Sequence, residues 1–246
     1  MRSPPLAAVR LDPEGRSARA KLVAVATAIV REALAGSGID VVASCPAAAY
    51  DARAPHEFRA DALVPGARGV VVAASGGPAL WRAFRAHIDA RPALWDQSNP
   101  YDAYVASLLD RADAALASAG IHFRRFEAAF HAAVRVDFVA LAEIVGLGSP
   151  SPFRLLIHDV HGPWWALRGA WIVDADVEPP RPHRPPCPGC AAPCIGGRAN
   201  AANPPGATPE VRARCVVGQS FRYDDDQIAY HYDRARTVAR LRGRRG

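Results

Sequence analysis

The spacing of apolar positions changes several times along this chain, and each change marks an element boundary. Leu22, Val25, Ile29 and Ala33 recur at helical spacing through Ala20–Leu34, and Gly36 to Gly38 stop that run before a strand at Ile39–Ala43. Pro65 and Gly66 mark a turn into the β-branched run GVVVAAS, a buried strand, and the GGP at Gly76–Pro78 leads into a helix over ALWRAFRAHID. After Pro100 the residues Tyr101, Tyr104, Val105, Leu108, Leu109 and Ala112 share one helical face, which ends at Gly120. Strands are predicted at Ile121–Phe126 and Phe130–Val134, followed by a helix over Phe138–Val145 capped by Gly146. RLLIHDV and WWALRGAWIVDA read as two strands parted by a turn at Gly162 and Pro163. Glu178–Pro209 is dense in proline, glycine and alanine and reads as irregular. A last helix over Asp225–Leu241 starts with three aspartates, which suit its dipole.

Helices and strands alternate unevenly in this series. That pattern favours an α+β fold, an antiparallel sheet with flanking helices, over a doubly wound parallel one. The expected organisation is a disordered segment over residues 1–18 and a single domain over 19–246. Within that domain, 178–246 forms an irregular extension and the final helix.

Composition narrows the function classes. With 246 residues and 50% hydrophobic content the chain can bury a sizeable core. Lys+Arg exceeds Asp+Glu by 30 to 24, mostly through arginine near the two ends. No interleaved aromatic and basic pattern accompanies the excess, which argues against nucleic acid. No apolar run before Leu22 is long enough for a signal peptide or membrane span, so the expectation is a soluble cytoplasmic protein with no membrane partner. The five cysteines do not resemble a secreted disulfide framework.

Three features carry candidate chemistry. Cys187, Cys190 and Cys194 form C-x2-C-x3-C, and Cys215 supplies a fourth thiol, enough for tetrahedral zinc or a 4Fe-4S cluster. The bland alternative is a proline-rich loop with unliganded thiols. Trp164 and Trp165 form either a packed strand or the wall of a pocket for a planar ligand. Arg135 and Arg168 sit in the apolar contexts AAVRVDFV and WWALRGAW, so each needs a partner: a carboxylate such as Asp137 or Asp174, or an anionic ligand. His131, His158 and His161 read as structural. The absence of H-x3-H, H-E-x2-H, G-x-S-x-G and phosphate-cradling loops weighs against hydrolytic and nucleotide-dependent chemistry.

IHDVHGPWWALRGAWIVDADVE resembles the I-H-P-x-F-G-G-W-x-A-I-R-G-V segment of the cobalamin-processing cyanocobalamin reductase and alkylcobalamin dealkylase family, that of the methylmalonic aciduria and homocystinuria type C protein. Collinear likenesses extend through KLVAVATAIVREALAGSGIDVV, GPALWRAFRAHI, NPYDAYVASLLDRA and FRYDDDQIAYHY. The related epoxyqueuosine reductases share the segment and carry cysteine-bound iron-sulfur clusters just after it. Their D-x2-P-x2-E-R pattern before G-L-G is missing here, because Ala132, Arg135, Phe138 and Val139 occupy the matching positions. Their G-K-N is replaced by SPSPF, which weighs against queuosine chemistry.

The resemblance implies a nitroreductase-like scaffold that binds base-off cobalamin without a protein ligand on the lower face. The upper ligand would leave by reduction (decyanation) or by glutathione-dependent dealkylation, with glutathione or FMN as reductant. By position it implies corrin contacts at Glu127, Phe138, Val139, Ala140, Leu141, Pro152, Phe153, Arg154, Leu156 and Leu167, with Trp164 and Trp165 bordering the pocket. Arg168 matches an arginine that holds a carboxylate of the thiol. A homodimer is also among the expectations. The competing expectations are a non-catalytic corrinoid carrier and an iron-sulfur oxidoreductase of the epoxyqueuosine reductase type.

Overall fold

The structure, a computed structural model, describes residues 25–128, 136–191, 194 and 208–243. The expected N-terminal segment, the first turn of the first helix, the strand at 130–134, and His131 and Arg135 lie outside these residues.

Four antiparallel strands form the sheet: β1 (Val41–Pro46), β2 (Gly69–Gly76), β3 (Phe123–Glu127) and β6 (Trp165–Val173), in the order β1-β2-β6-β3. Two-residue strands β4 (Ser149–Pro150) and β5 (Leu156–Ile157) pair separately. All eight residues of β2 are buried, which explains its unbroken apolar run: helices cover the sheet on both faces. On one face Val71, Ala73, Trp171 and Val173 pack against α1 (Ala26–Leu34), α4 (Ala79–Asp89) and α5 (Pro100–Ser118). On the other, Val70, Val72, Ala74, Ala170 and Ile172 meet α2 (Ala47–Asp51), the end of α3 (Ala60–Leu63) and α6 (Phe138–Ile144). The α+β class expected from the uneven alternation is therefore observed.

Three predicted elements change form. RLLIHDV yields only β5, because His158 turns back on Gly162 through paired backbone hydrogen bonds of 3.0 and 2.9 Å. The single final helix is two, α8 (Asp225–Tyr232) and α9 (Arg234–Gly243). Asp233 separates them: its φ of −146° leaves the helical region, and its carboxylate accepts from Arg236 N at 3.1 Å as an N-cap. Within the span predicted to be irregular to Pro209, a short α7 begins at its end (Pro209–Ala213), capped by Thr208.

The extended segment after β6 is tied down twice. Glu178 accepts a bidentate pair from Arg31 at 2.8 and 2.6 Å, and its carbonyl accepts from the Ser44 hydroxyl at 2.9 Å. Further on, Arg181 grips both carboxylate oxygens of Asp159 at 2.7 Å. Gly146 is required there: its φ is +75°, and a Cβ would stand 2.1 Å from the Arg181 carbonyl oxygen. These ties bring the cysteine-bearing stretch against the turn that precedes β5.

Candidate functional site

A β-bulge places Arg168. Ala73 pairs with Gly169 and Ala74 with Leu167, so Arg168 is the extra residue on β6. Strict alternation from Trp171 would turn Arg168 toward the α6 side. With the bulge, Leu167 faces α6 and Arg168 turns to the α5 face. Its Nε donates to the Ser75 hydroxyl and one terminal nitrogen to the Tyr101 hydroxyl, both at 2.9 Å, with the guanidinium 5.2 Å from the Tyr101 ring centroid. Of the two kinds of partner expected, a carboxylate or an anionic ligand, no carboxylate is found among the described residues. Asp174 instead accepts from His122 N, and Asp137 caps α6 through Ala140 N.

A second arginine, which the sequence did not mark, belongs with it. Arg212 of α7 is only 7% exposed and lies over two rings, 5.6 Å from Trp164 and 5.8 Å from Tyr223. Its Nε is buried with no hydrogen-bond partner. Among the described residues neither guanidinium is salt-bridged to a carboxylate. Both act on the same neighbours. Burial pushes the Tyr223 phenol up to about 12, and the charges of Arg168 and Arg212 oppose the rise. His231 falls below its ordinary value through desolvation, although its side chain reaches solvent, and then through the charges of Arg212 and Arg168. Two cations with no carboxylate partner among the described residues, each set against aromatic rings, thus act on the same two side chains, an electropositive setting suited to an anion.

The residues that resemblance assigns to the corrin divide between three places. Phe138, Leu156 and Leu167 are half-buried against the α6 side of the sheet, and Val139 beside them is 55% exposed. Ala140 is half-buried on the same helix, whereas Leu141 is fully buried core. Glu127 ends β3 on the opposite, α5 side: it pairs with Gly169 and binds Arg125 at 2.9 Å. Pro152 and Phe153 face the cysteines, with Phe153 only 1% exposed. Arg154 is exposed and adopts φ +64° in the turn before β5. Trp164 and Trp165 are both buried; the Trp165 indole N–H donates to the Leu156 carbonyl at 2.9 Å. Both indoles are packed into the interior.

Glu127, the last residue of β3, pairs with Gly169, and Ala128 N donates to the Arg168 carbonyl at 3.2 Å, so the β3 edge reaches the bulge, where the Leu167 and Arg168 side chains lie on opposite faces of β6.

The four clustered cysteines do meet. Cys187, Cys190, Cys194 and Cys215 line one small recess of about 30 Å³, walled otherwise by Pro152, Phe153, Ile157 and neighbouring apolar residues. None of the four is joined in a disulfide. Burial raises the Cys187 thiol above its ordinary value, and the sulfurs of Cys215, Cys194 and Cys190 add to the rise. As they stand, no group of three or more His, Cys, Asp or Glu among the described residues is arranged to hold a metal ion. Among the same residues, no helix is long and apolar enough to cross a membrane.

No family model matches the chain, and none of the curated proteins matches it in sequence. Solved structures do. A Caenorhabditis elegans B12-trafficking protein, CblC, described as a human MMACHC homologue, superposes with a TM-score of 0.59 at 13% identity, over 87% of this chain and 94% of that one. An epoxyqueuosine reductase from Streptococcus thermophilus superposes with a TM-score of 0.52 at 11% identity, over 79% of this chain and 66% of that one. At such identities the likeness is one of fold: the chain shares the nitroreductase-like α+β architecture of CblC.

Proposed function

We propose that this protein binds cobalamin base-off and removes its upper axial ligand, by reduction or by transfer to an anionic thiol. The observation that carries the reading is the bulge at Arg168. It turns a guanidinium with no carboxylate partner among the described residues to the α5 face, where it and Arg212 act on the same side chains, Tyr223 and His231, while Leu167 beside it joins the half-exposed apolar group of Phe138, Val139 and Leu156 on the other face. The fold shared with CblC supports the same reading.

The proposed division of labour follows from the chemistry of each side. A corrin is large, flat and edged with amides, so an apolar surface bordered by backbone groups suits it. Phe138, Val139, Leu156 and Leu167 supply that surface. A thiol such as glutathione carries carboxylates. Arg168 keeps N–H donors free after its bonds to Ser75 and Tyr101, and with Arg212 it holds those carboxylates in a setting that excludes competing counter-ions. In dealkylation the thiolate sulfur takes the alkyl group, and cobalt keeps the electron pair of the bond that breaks. Decyanation draws its electrons from an external reductant such as a reduced flavin. In this reading Arg168 and Arg212 position the thiol, and the protein leaves cobalt without a strong axial donor, which eases its reduction.

The first test is spectroscopic. Titrating hydroxocobalamin or cyanocobalamin with protein should shift the visible spectrum toward the base-off form; an unchanged spectrum at saturating protein refutes the proposal. Multiple turnovers with glutathione or reduced flavin separate an enzyme from a carrier. Arg168→Ala should still bind cobalamin but lose roughly tenfold to a hundredfold in kcat/KM for the thiol, as expected for one charge-assisted contact. Unchanged thiol kinetics in that variant would remove Arg168 from the site.

A further inference from the structure

The proline-rich stretch after β6 gathers its thiols through local geometry that the cobalamin reading does not use. Cys187-Pro-Gly-Cys190 has the residues of a type II turn, with Gly189 at φ +81° and Cys190 N donating to the Cys187 carbonyl at 3.0 Å. Such a turn brings the side chains at its two ends to one side. Across the recess stands Cys215, beside Val216 and Val217. The Gln219 side chain holds the same segment by donating to the carbonyls of Ala213 and Cys215, at 3.1 and 2.5 Å. Cys194 and Cys215 are buried, and Cys187 and Cys190 half-buried. A chain stretch with few backbone ladders thus converges four sulfurs of one chemistry on one recess.

From this convergence we infer that Cys187, Cys190, Cys194 and Cys215 form a tetrathiolate site for a single thiophilic divalent ion, Zn2+, which staples the C-terminal segment to the turn before β5. Four thiolates complete the tetrahedral shell of zinc, so such a site is closed and structural rather than catalytic. The four sulfurs line one recess, and taking up the ion requires them to draw together into a ligand set and to release their protons. Cys45, buried on β1 in the α6-side core, takes no part.

The test uses the full chain and does not depend on cobalamin. Purified protein should contain one Zn2+ per molecule, exchangeable for Co2+ with the sulfur-to-cobalt charge-transfer and visible bands of a tetrahedral thiolate site. Cys187→Ser and Cys215→Ser should abolish those bands, whereas Cys45→Ser keeps them. As a readout that survives any folding defect of the variants, Zn2+ added to the metal-free native chain should protect four of its five thiols from a thiol reagent. It should also slow tryptic cleavage after Arg214, beside Cys215, about tenfold. Absence of stoichiometric zinc or cobalt binding overturns the inference. So does recovery of iron with acid-labile sulfide, which would assign the thiols to a cluster. Failure of the cobalamin titration leaves every one of these readouts in force.

Discussion

At the scale of single residues, burial decides which polar side chains act and which only hold structure. His158 is 2% exposed, and its Nδ1 accepts from the amides of Val160 and His161 at 3.0 and 3.3 Å. Burial first, and then the neighbouring His161, push it from 6.5 down to about 4. The unfolded chain therefore binds a proton more readily than the folded one between those two values. His158 contributes its full stability above pH 6.5 and loses it as pH falls toward 4. Denaturant titrations at pH 7 and pH 5 should differ by about 2 kcal/mol from this residue, and His158→Gln should remove that part of the difference. The hydrogen-bonded structural role expected of these histidines agrees with His158, whereas the Nδ1 of His161 is buried without a hydrogen-bond partner. The apolar context of Arg168 marked it as an arginine in need of a partner. Arg212 was not: nothing in PEVRARC distinguishes it from other surface arginines, and only the rings of Trp164 and Tyr223, distant in sequence, mark it as buried.

Among elements, periodicity located most helices and the central strands, and local capping chemistry revised their ends. The apolar face beginning at Tyr101 became α5 as read, because one long face packs on the sheet. Predicting one helix over 225–241 failed because Asp233 is a better cap than a helix-interior residue. Its replacement by Ala should cost about 1 kcal/mol, visible as a lowered Tm if α8 and α9 are capped as described. The three aspartates do not act on the dipole alone: Asp224 binds Arg82 at 2.9 and 2.8 Å, and Asp226 binds Arg240 at 2.7 Å. They fasten α8 to α4 and α9. The bulge, too, was beyond reach of the sequence. A strand pattern with period two assigns Leu167 and Arg168 to faces only when the extra residue is known, and it emerges from pairing with β2, about a hundred residues earlier.

For the whole molecule, the two-sided burial of the sheet follows from β2 and β6 as its central pair. The residues that the resemblance assigns to the corrin lie on both faces of the sheet and at the cysteine recess. That central pairing also sets an order of events during synthesis. β1 and β2 can join as a hairpin early, but the second edge of the apolar strand β2 has no partner until residues 165–173 have emerged. Contacts of such sequence separation slow folding, and an open apolar edge invites pairing with another chain. A chain ending at residue 150 should therefore aggregate or stay unfolded, as sedimentation and circular dichroism would report. A soluble, cooperatively melting fragment would contradict this. The strand that carries the bulge thus also completes the fold: the core closes late, when the site itself arrives.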